Sequence, residues 1–312
     1  MIVCITSIGT ATSIGLIKHI RKYDKNIKII GTDTNEHGYT AGSMLVDKFY
    51  RVLSAEHILY INEILNIIEN EKIDVIIPIN DFEIEVFSRN YNKLSEKTKC
   101  LIPKLNVIKL VRDKLTCTLK MESLGLRCPK RININCGKKC IIRDRTGVGS
   151  KHIKVLYDGE FFEDILENQF IQEFINGIEY TVDVLCDELG KPLYIIPRQR
   201  LEVKAGVATK VKIIKEMDLI KSVENVLQVI KLPGFSNFQF IIDREGNQWF
   251  IEINPRFGGC SSSSLLAAPG MFDCFMRILS GDFRDDGILY ENLKMVKWNS
   301  IVTRYYEEII YE

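Results

Sequence analysis

The first hundred residues alternate between short apolar runs and segments with helical spacing, which restricts the fold more than any other feature. Between the apolar runs, isoleucines recur every three or four positions, as they do on one face of a helix. Strands that alternate with helices form a parallel sheet covered by helices, so the sequence predicts an N-terminal α/β domain. The apolar runs that we interpret as buried strands are 2–6, 27–30 and 73–79.

The turn after the first run does not carry the dinucleotide fingerprint. Gly9 and Gly15 do not fall in a G-x-G-x-x-G pattern, so close approach of a pyrophosphate to the backbone is not favoured. A turn and a helix N-terminus near some small substrate is the preferred interpretation. Asn80, with Glu83 three residues later, predicts a capping box at the start of another helix.

Composition excludes several classes of protein. The 312 residues are enough for about two domains. There are 42 basic and 41 acidic side chains, a net charge of +1, so nonspecific binding to nucleic acid or to a membrane surface is not expected. No apolar run approaches the ~20 residues of a membrane span. The nine cysteines are scattered, as is typical of a reducing compartment, and we expect a cytoplasmic protein.

From about residue 105 the pattern changes to α+β. Two short helices are predicted at 107–111 and 115–124, the second ending at Gly125. Short strands follow, and their spacing favours largely antiparallel pairing. The predicted strands are 140–143, 153–157, 180–185, 193–196, 238–242 and 249–253.

The last two of these strands form the most informative segment. They flank a turn at Glu245 and Gly246, and a hairpin centred there places Gln239 opposite Glu252. Asn254 lies two residues beyond Glu252 and therefore on the same face. One carboxylate and two amides are oxygen donors of the kind that Mg²⁺ prefers. An exposed polar face is the alternative interpretation.

Two further segments suggest a nucleotide site. A predicted strand carries Arg143 to a glycine-containing loop, 147–150, whose backbone N–H groups could close over phosphates, although the loop lacks the Walker pattern. In the segment 172–183, acidic residues interrupt an apolar strand and turn. Such a connector can offer backbone groups to an adenine edge and a carboxylate to ribose hydroxyls.

Together, in this order, the three segments resemble the ATP-grasp superfamily. The run EINPRFGG at 252–259, with Gln239 upstream, is most similar to the carbamoyl phosphate synthetase large subunit and to stand-alone carboxylate–amine ligases. The resemblance implies an α/β domain of the pre-ATP-grasp type, followed by the two α+β lobes of the ATP-grasp fold. The implied boundaries are 1–105 for the first domain, 106–171 for the small lobe and 172–312 for the C-terminal lobe.

The resemblance also implies roles for individual residues. Glu252, Asn254 and Gln239 would hold Mg²⁺, and Arg256 would steady the transferred phosphoryl group. Arg143 stands where most members have a lysine. The remaining nucleotide contacts that the resemblance implies are Lys114 over the phosphates, Gly147, Gly149 and Ser150 in a mobile loop, Glu173, Phe174 and Ile175 around adenine, and Glu179 at the ribose.

The resemblance implies that the acceptor lies beside the metal site, so substrate contacts are predicted there. Arg198 and Arg200 alternate on a strand and could grip a carboxylate or a phosphate, or they could lie at a solvated strand edge. The serine run 261–264 could contact substrate or begin a helix at 265–268. Asp81 and Glu83 could bind an ammonium group or cap a helix. The residues predicted to contact substrate are thus Arg198, Arg200, Lys204, Ser261, Ser262, Asp81 and Glu83.

The resemblance implies an enzyme that uses ATP and Mg²⁺ to convert a small carboxylate to an acyl phosphate, which an amine then attacks. A closing loop is needed because water would hydrolyse the acyl phosphate. Two alternatives are a kinase-like member that stops at phosphoryl transfer and a protein that binds ATP without turnover. A homodimer is possible.

Overall fold

The structure is a computed structural model that describes residues 1–132, 139–147, 153–158, 160, 165–204, 206–284 and 289–311. Its N-terminal part is the predicted α/β domain. Four parallel strands form one sheet in the order β3-β2-β1-β4. The strands are β1 (Ile2–Ile5), β2 (Lys28–Asp33), β3 (Lys48–Arg51) and β4 (Val75–Ile77).

Helices cover both faces of this sheet. Successive residues of a strand point to opposite faces, so each strand contributes to two separate clusters of buried residues. Val3 and Ile5 pack into the large core shared with the rest of the chain, whereas Cys4 packs into a second cluster. The capping box predicted at Asn80 and Glu83 is confirmed. The helices are α1 (Ala11–Tyr23), α2 (Ala41–Met44), α3 (Tyr60–Glu71), α4 (Asp81–Arg89) and α5 (Tyr91–Ser95).

Two helices and a small antiparallel sheet follow. The helices α6 (Leu105–Arg112) and α7 (Lys114–Ser123) meet at Asp113, whose side chain caps α7 by accepting from the N–H of Thr116. The sheet has the order β5-β8-β6-β7. Its strands are β5 (Arg131–Ile132), β6 (Cys140–Asp144), β7 (Lys154–Leu156) and β8 (Gln169–Glu173).

The third sheet has six antiparallel strands in the order β13-β12-β9-β10-β11-β14. The six strands that the sequence predicts after residue 105 are all present, two of them in the small sheet, whereas β3, β5, β8, β11 and β14 were not predicted. The strands are β9 (Gly177–Cys186), β10 (Pro192–Lys204), β11 (Val207–Ile213), β12 (Gly234–Asp243), β13 (Gln248–Asn254) and β14 (Ile301–Thr303). The helices that pack around them are α8 (Met217–Val229), α9 (Ser262–Ala267), α10 (Pro269–Ser280) and α11 (Leu289–Lys294).

These three sheets match the predicted class, α/β followed by antiparallel α+β. The predicted domain boundaries at 105 and 171 stay predictions.

Candidate functional site

A polar row crosses four neighbouring strands of the large sheet. Glu252 on β13 lies opposite Gln239 on β12, as the hairpin predicted. Gln239 lies opposite Thr181 on β9, which in turn lies opposite Arg198 on β10. Directly opposite residues point to the same face. Neighbouring strands lie about 4.8 Å apart. Three such spacings separate β13 from β10, so the Cα atoms of Glu252 and Arg198 lie roughly 14 Å apart.

Glu252 joins the large sheet to the small one. Its Oε2 accepts from Arg143 Nη2 over 3.0 Å, and its Oε1 accepts from Asn254 Nδ2 over 3.2 Å. The Arg143 side chain is 9% exposed and that of Glu252 is 20% exposed. Burial opposes ionisation of Glu252, but the charges of Arg143 and Lys114 outweigh it and lower the carboxyl pKa.

Gln239 and Asn254 complete the set of oxygen donors next to this carboxylate. Asn254 donates through Nδ2 to Glu252 and to Oδ1 of Asn237, which leaves its own Oδ1 as an acceptor. Gln239 makes no side-chain hydrogen bond with any described residue. The donor set fits a hard cation that takes its remaining oxygens from phosphate and water. It contains one carboxylate only, and no described group of three or more His, Cys, Asp or Glu residues could hold a metal ion by itself.

Lys114 lies at the first position of α7 and faces the end of the small sheet. Its Nζ donates to the carbonyl oxygen of Gly147 over 2.9 Å, and its backbone N–H donates to the carbonyl oxygen of Arg145 over 2.7 Å. Burial lowers the pKa of the Lys114 ammonium, against the attraction of Glu252. Gly149 and Ser150, which we predicted to form the loop over the phosphates, lie outside the described residues.

Arg256 connects the large sheet to the N-terminal domain. Its Nε donates to Asp81 Oδ2 over 3.0 Å, and Asp81 is the buried first residue of α4. Glu83, in contrast, is committed to local structure. Its carboxylate accepts from Thr6 Oγ1 over 2.6 Å and from the backbone N–H of Asn80 over 3.1 Å. Of the two interpretations of Glu83, the structure therefore shows the cap.

The predicted nucleoside contacts lie on the connection from β8 to β9. Glu173 Oε1 accepts from the backbone N–H of Lys130 over 2.7 Å. The Phe174 ring lies 3.7 Å from Lys139 Nζ, and Ile175 is half-buried beside it. Glu179 is exposed, and its Oε2 accepts from Arg200. The connection thus presents carboxylates and backbone groups along one edge.

A cleft of about 370 Å³ separates the N-terminal domain from the large sheet. One wall is formed by the first turn of α1 and the start of α4. The other is formed by the polar row and by residues 256–260. The predicted site residues that line this cleft are Asp81, Arg198, Arg200, Gln239, Glu252, Asn254 and Arg256.

Arg198 and Ser261 share a buried partner that sequence reasoning did not single out. The Asp183 carboxylate accepts from Arg198 Nε over 2.7 Å, from Ser261 Oγ over 2.7 Å and from Ser264 Oγ over 2.6 Å. Asp183 is fully buried, so the cluster ties the loop after Arg256 to the sheet. The only sequence signal was its position two residues after Thr181, in the third segment.

Two other predicted substrate contacts are not among the residues that line the cleft. Ser262 packs on α1, where a Cβ added to Gly15 would approach its Oγ to 2.2 Å. Lys204 is exposed and its Nζ lies 3.3 Å from Glu202 Oε1. Neither placement supports a role in contacting a cleft substrate.

The family comparisons agree with the geometry. The model of the ATP-grasp domain matches residues 111–260, and that of the PylC-like N-terminal domain matches residues 3–101. Residues 111–260 are thus similar to the ATP-grasp domain. The predicted resemblance to the ATP-grasp superfamily is thereby confirmed. No curated protein matches the chain.

Solved structures with a similar fold align with most of the chain. The biotin carboxylase domain dimer of Hydrogenobacter thermophilus 2-oxoglutarate carboxylase, in complex with MgADP, ADP and bicarbonate, is 14% identical with a TM-score of 0.73, covering 96% of this chain and 73% of that chain. N5-carboxyaminoimidazole synthetase from Staphylococcus aureus is 16% identical with a TM-score of 0.69, and the match covers 90% of this chain and 77% of that chain. Biotin carboxylase from Campylobacter jejuni, in complex with β,γ-ATP, is 14% identical with a TM-score of 0.70, covering 96% and 74%. At these identities the likeness establishes the fold.

Two further observations concern the described residues as a whole. None of their helices combines the length and the apolar composition needed to cross a bilayer. Six of their cysteines are free thiols: Cys4, Cys100, Cys117, Cys128, Cys186 and Cys260.

Proposed function

We propose that this ATP-grasp protein is an ATP- and Mg²⁺-dependent ligase that activates a small carboxylate as an acyl phosphate and couples it to an amine, releasing ADP and phosphate. The observation that carries the proposal is the position of Glu252. It lies where the small sheet, the large sheet and the cleft meet, with Arg143, Asn254 and Gln239 around it.

The charged groups are distributed as phosphoryl transfer requires. Arg143 and Lys114 come from the small-sheet side and would contact the nucleotide phosphates, together with the backbone at Gly147. Arg256, from the cleft side, would steady the phosphoryl group on its way to the acceptor carboxylate. Cations that surround a transferring phosphoryl group offset its charge, so no side-chain nucleophile is required.

Gln239, Glu252 and Asn254 would hold Mg²⁺, which when bound supplies neutralisation of phosphate charge. The nucleoside would lie along the connection from β8 to β9. There Glu179 would contact the ribose, and the backbone at Phe174 and Ile175 would contact adenine. Glu173 has its second carboxylate oxygen left for the adenine amino group, since Oε1 is bound to Lys130.

The cleft supports ligation as well as phosphorylation. An acceptor in it would lie beside Glu252 and Arg256 and would be covered by the N-terminal domain. Such cover limits hydrolysis of an acyl phosphate until the amine attacks. The names of the similar structures, a carboxylase and a synthetase, agree with chemistry on carboxylate-type substrates.

The experiment is ADP release with Mg-ATP and a pool of amino acids and other small carboxylates, with and without a pool of amines, followed by mass analysis. Amino acids supply an amine as well as a carboxylate, so mass analysis distinguishes the alternatives: ligation predicts ADP together with a product whose mass equals acid plus amine minus water. ADP with no such condensed product would instead support the kinase-like alternative, and ATP binding without ADP would support the non-catalytic one.

We also propose that the protein works in the cytoplasm, which the six free thiols support, and that it forms a homodimer. One similar structure is described as a dimer, which supports the second proposal. Sedimentation of the purified chain tests it, since a monomer at all concentrations would contradict the proposal.

A further inference from the structure

Arg198 lies at the opposite end of the polar row from Glu252. One edge of its guanidinium is hydrogen-bonded within the protein and the other is not. Nε and Nη2 donate to the two oxygens of Asp183 over 2.7 and 3.4 Å. Nη1 makes no hydrogen bond with any described residue. Arg198 as a whole is only 3% exposed. Its unpaired Nη1 is nevertheless not fully enclosed by protein atoms. Since Arg198 lines the cleft, Nη1 presents its two N–H groups there.

Arg200 lines the same cleft but is differently employed. Its Nη1 donates to Glu179 Oε2 over 2.5 Å, and its Nη2 donates to the carbonyl oxygen of Gly206 over 2.8 Å. Both terminal nitrogens are thus engaged within the chain. From the sequence, Arg198 and Arg200 are equivalent candidates. In the structure, only Arg198 of these two has a terminal nitrogen with no described hydrogen-bond partner.

The first turn of α1 lines the same cleft as Arg198. Ala11 and Thr12 line the cleft, and their backbone N–H groups make no hydrogen bond with any described residue. Thr12 Oγ1 lies 3.8 Å from the Cβ position of Gly259, in the loop that Asp183 anchors through Ser261. The N-terminus of this 13-residue helix carries partial positive charge. Arg198 and α1 therefore both favour an anion at this end.

From these contacts we propose that this end of the cleft binds a second carboxylate of the ligase substrates, one that is not activated. The inference rests on the proposed function, because activation must occur beside Glu252 and Arg256. Arg198 lies three strands away from Glu252, a backbone separation of roughly 14 Å. This separation leaves room for two carboxylates, one beside Glu252 and Arg256 and the other at Arg198.

The charge at this end selects a carboxylate over a phosphate group. The carboxylate of Asp183 balances the positive charge of Arg198, so the pair carries no net charge. The carboxylate hydrogen-bonds only to Nε and Nη2 of the guanidinium. What remains is Nη1 and the partial charge of α1, which suits a single negative charge. The substrates therefore include an amino acid or a dicarboxylic acid, with the second carboxylate on either the activated acid or the amine.

The first test needs no variant. Each amino acid or dicarboxylic acid is compared with its carboxamide at the second carboxylate, such as glutamate with glutamine. Both ADP release and the thermal shift in the presence of Mg-ADP are measured. We expect kcat/KM to fall at least tenfold for the carboxamide, and its thermal shift to be lost. Equal use of acid and amide would overturn the inference while leaving the ligase proposal intact.

The second test uses Arg198→Gln and the double variant Asp183→Asn with Arg198→Gln, which avoids an unpaired buried carboxylate. Both should lose the preference for the acid over the amide and keep the KM for ATP. The substrate whose KM rises identifies which reactant carries the second carboxylate. Lys210→Gln is the matched control, because Lys210 lies on the neighbouring strand and forms an ion pair only with Glu202 among the described residues.

A preference for the acid that survives in both Arg198 variants would contradict the assignment. A protein that forms no ADP with any pair of pools would contradict the proposed function instead. The thermal shift is measured without turnover, so it tests the anion site in that case too.

Discussion

Replacing Glu252 by Gln removes the carboxylate charge at the centre of the site and keeps the side-chain volume. The folded protein should lose some stability, because Arg143 is buried and its partner becomes neutral. Removing one partner of a buried pair costs about 3–5 kcal/mol. Gln retains an oxygen acceptor and the Glu252 side chain is 20% exposed, so we expect roughly 2 kcal/mol, or a fall in Tm of about 4–6 °C.

Activity should fall much further than stability. A bound metal contributes several kcal/mol to stabilisation of transition-state charge, so loss of its charged ligand should slow ADP formation at least about 100-fold. Glu245→Gln is the matched control, since it removes the same charge from the turn of the same hairpin. Its free energy of unfolding should change by less than about 0.5 kcal/mol.

The assay is ADP release under saturating Mg-ATP, with Tm measured on the same samples. A Glu252→Gln variant that stays folded and turns over at the wild-type rate would refute the assignment of this carboxylate to the metal site. Equal losses in the Glu252 and Glu245 variants would show that the effect is not local.

Three further outcomes follow from the contacts. Asp183→Ala should lower the free energy of unfolding, measured in urea titrations, by about 3–5 kcal/mol because it leaves Arg198 buried and unpaired. Glu36→Ala, which removes an exposed ion pair, should lower it by less than about 1 kcal/mol. Similar losses in the two variants would contradict the argument. Burial lowers the pKa of Lys114, so ADP formation should decline at a lower alkaline pH than an ordinary lysine would give, and Lys114→Arg should move that decline upward; an unmoved profile would assign it to another group. Arg304 donates to backbone oxygens on both walls of the cleft, so Arg304→Met should raise the KM of the cleft substrate and not that of ATP, which steady-state kinetics can check.

The hairpin shows how far an alternating pattern constrains structure. Each strand has one apolar and one polar face, so a shift of one residue would expose the apolar face, and Gln239 lies opposite Glu252 as predicted. Closer to the turn the pairing slips, and Phe240 lies opposite Phe250 because a bulge follows Gln239. The extra residue is Ile251 on β13, which is the edge strand of the sheet, and the alternating pattern of the hairpin does not signal it.

Side-chain partners were harder to predict than strands. Residue type placed Arg198 and Glu83 near a site, but their roles depend on groups that the fold brings from elsewhere. Thr6 and Tyr60 bind Glu83 from positions 77 and 23 residues away along the chain. Asp183 binds Arg198 only because β9 and β10 pair in one register. The short strands β3 and β14 were missed because neither has an apolar run long enough to signal burial.

The site is assembled from ion pairs that join separate parts of the fold. Arg143 with Glu252 joins the small sheet to the large one, and Arg256 with Asp81 joins the large sheet to the N-terminal domain. In each pair a positive and a negative charge cancel. Lys114 instead donates to the carbonyl oxygen of Gly147, so its charge is not neutralised by that contact. A polyanionic nucleotide would therefore find its uncompensated positive charge at the start of α7. The pairs hold the surrounding sheets at fixed positions, and loss of either carboxylate should affect both the cleft and the nucleotide side.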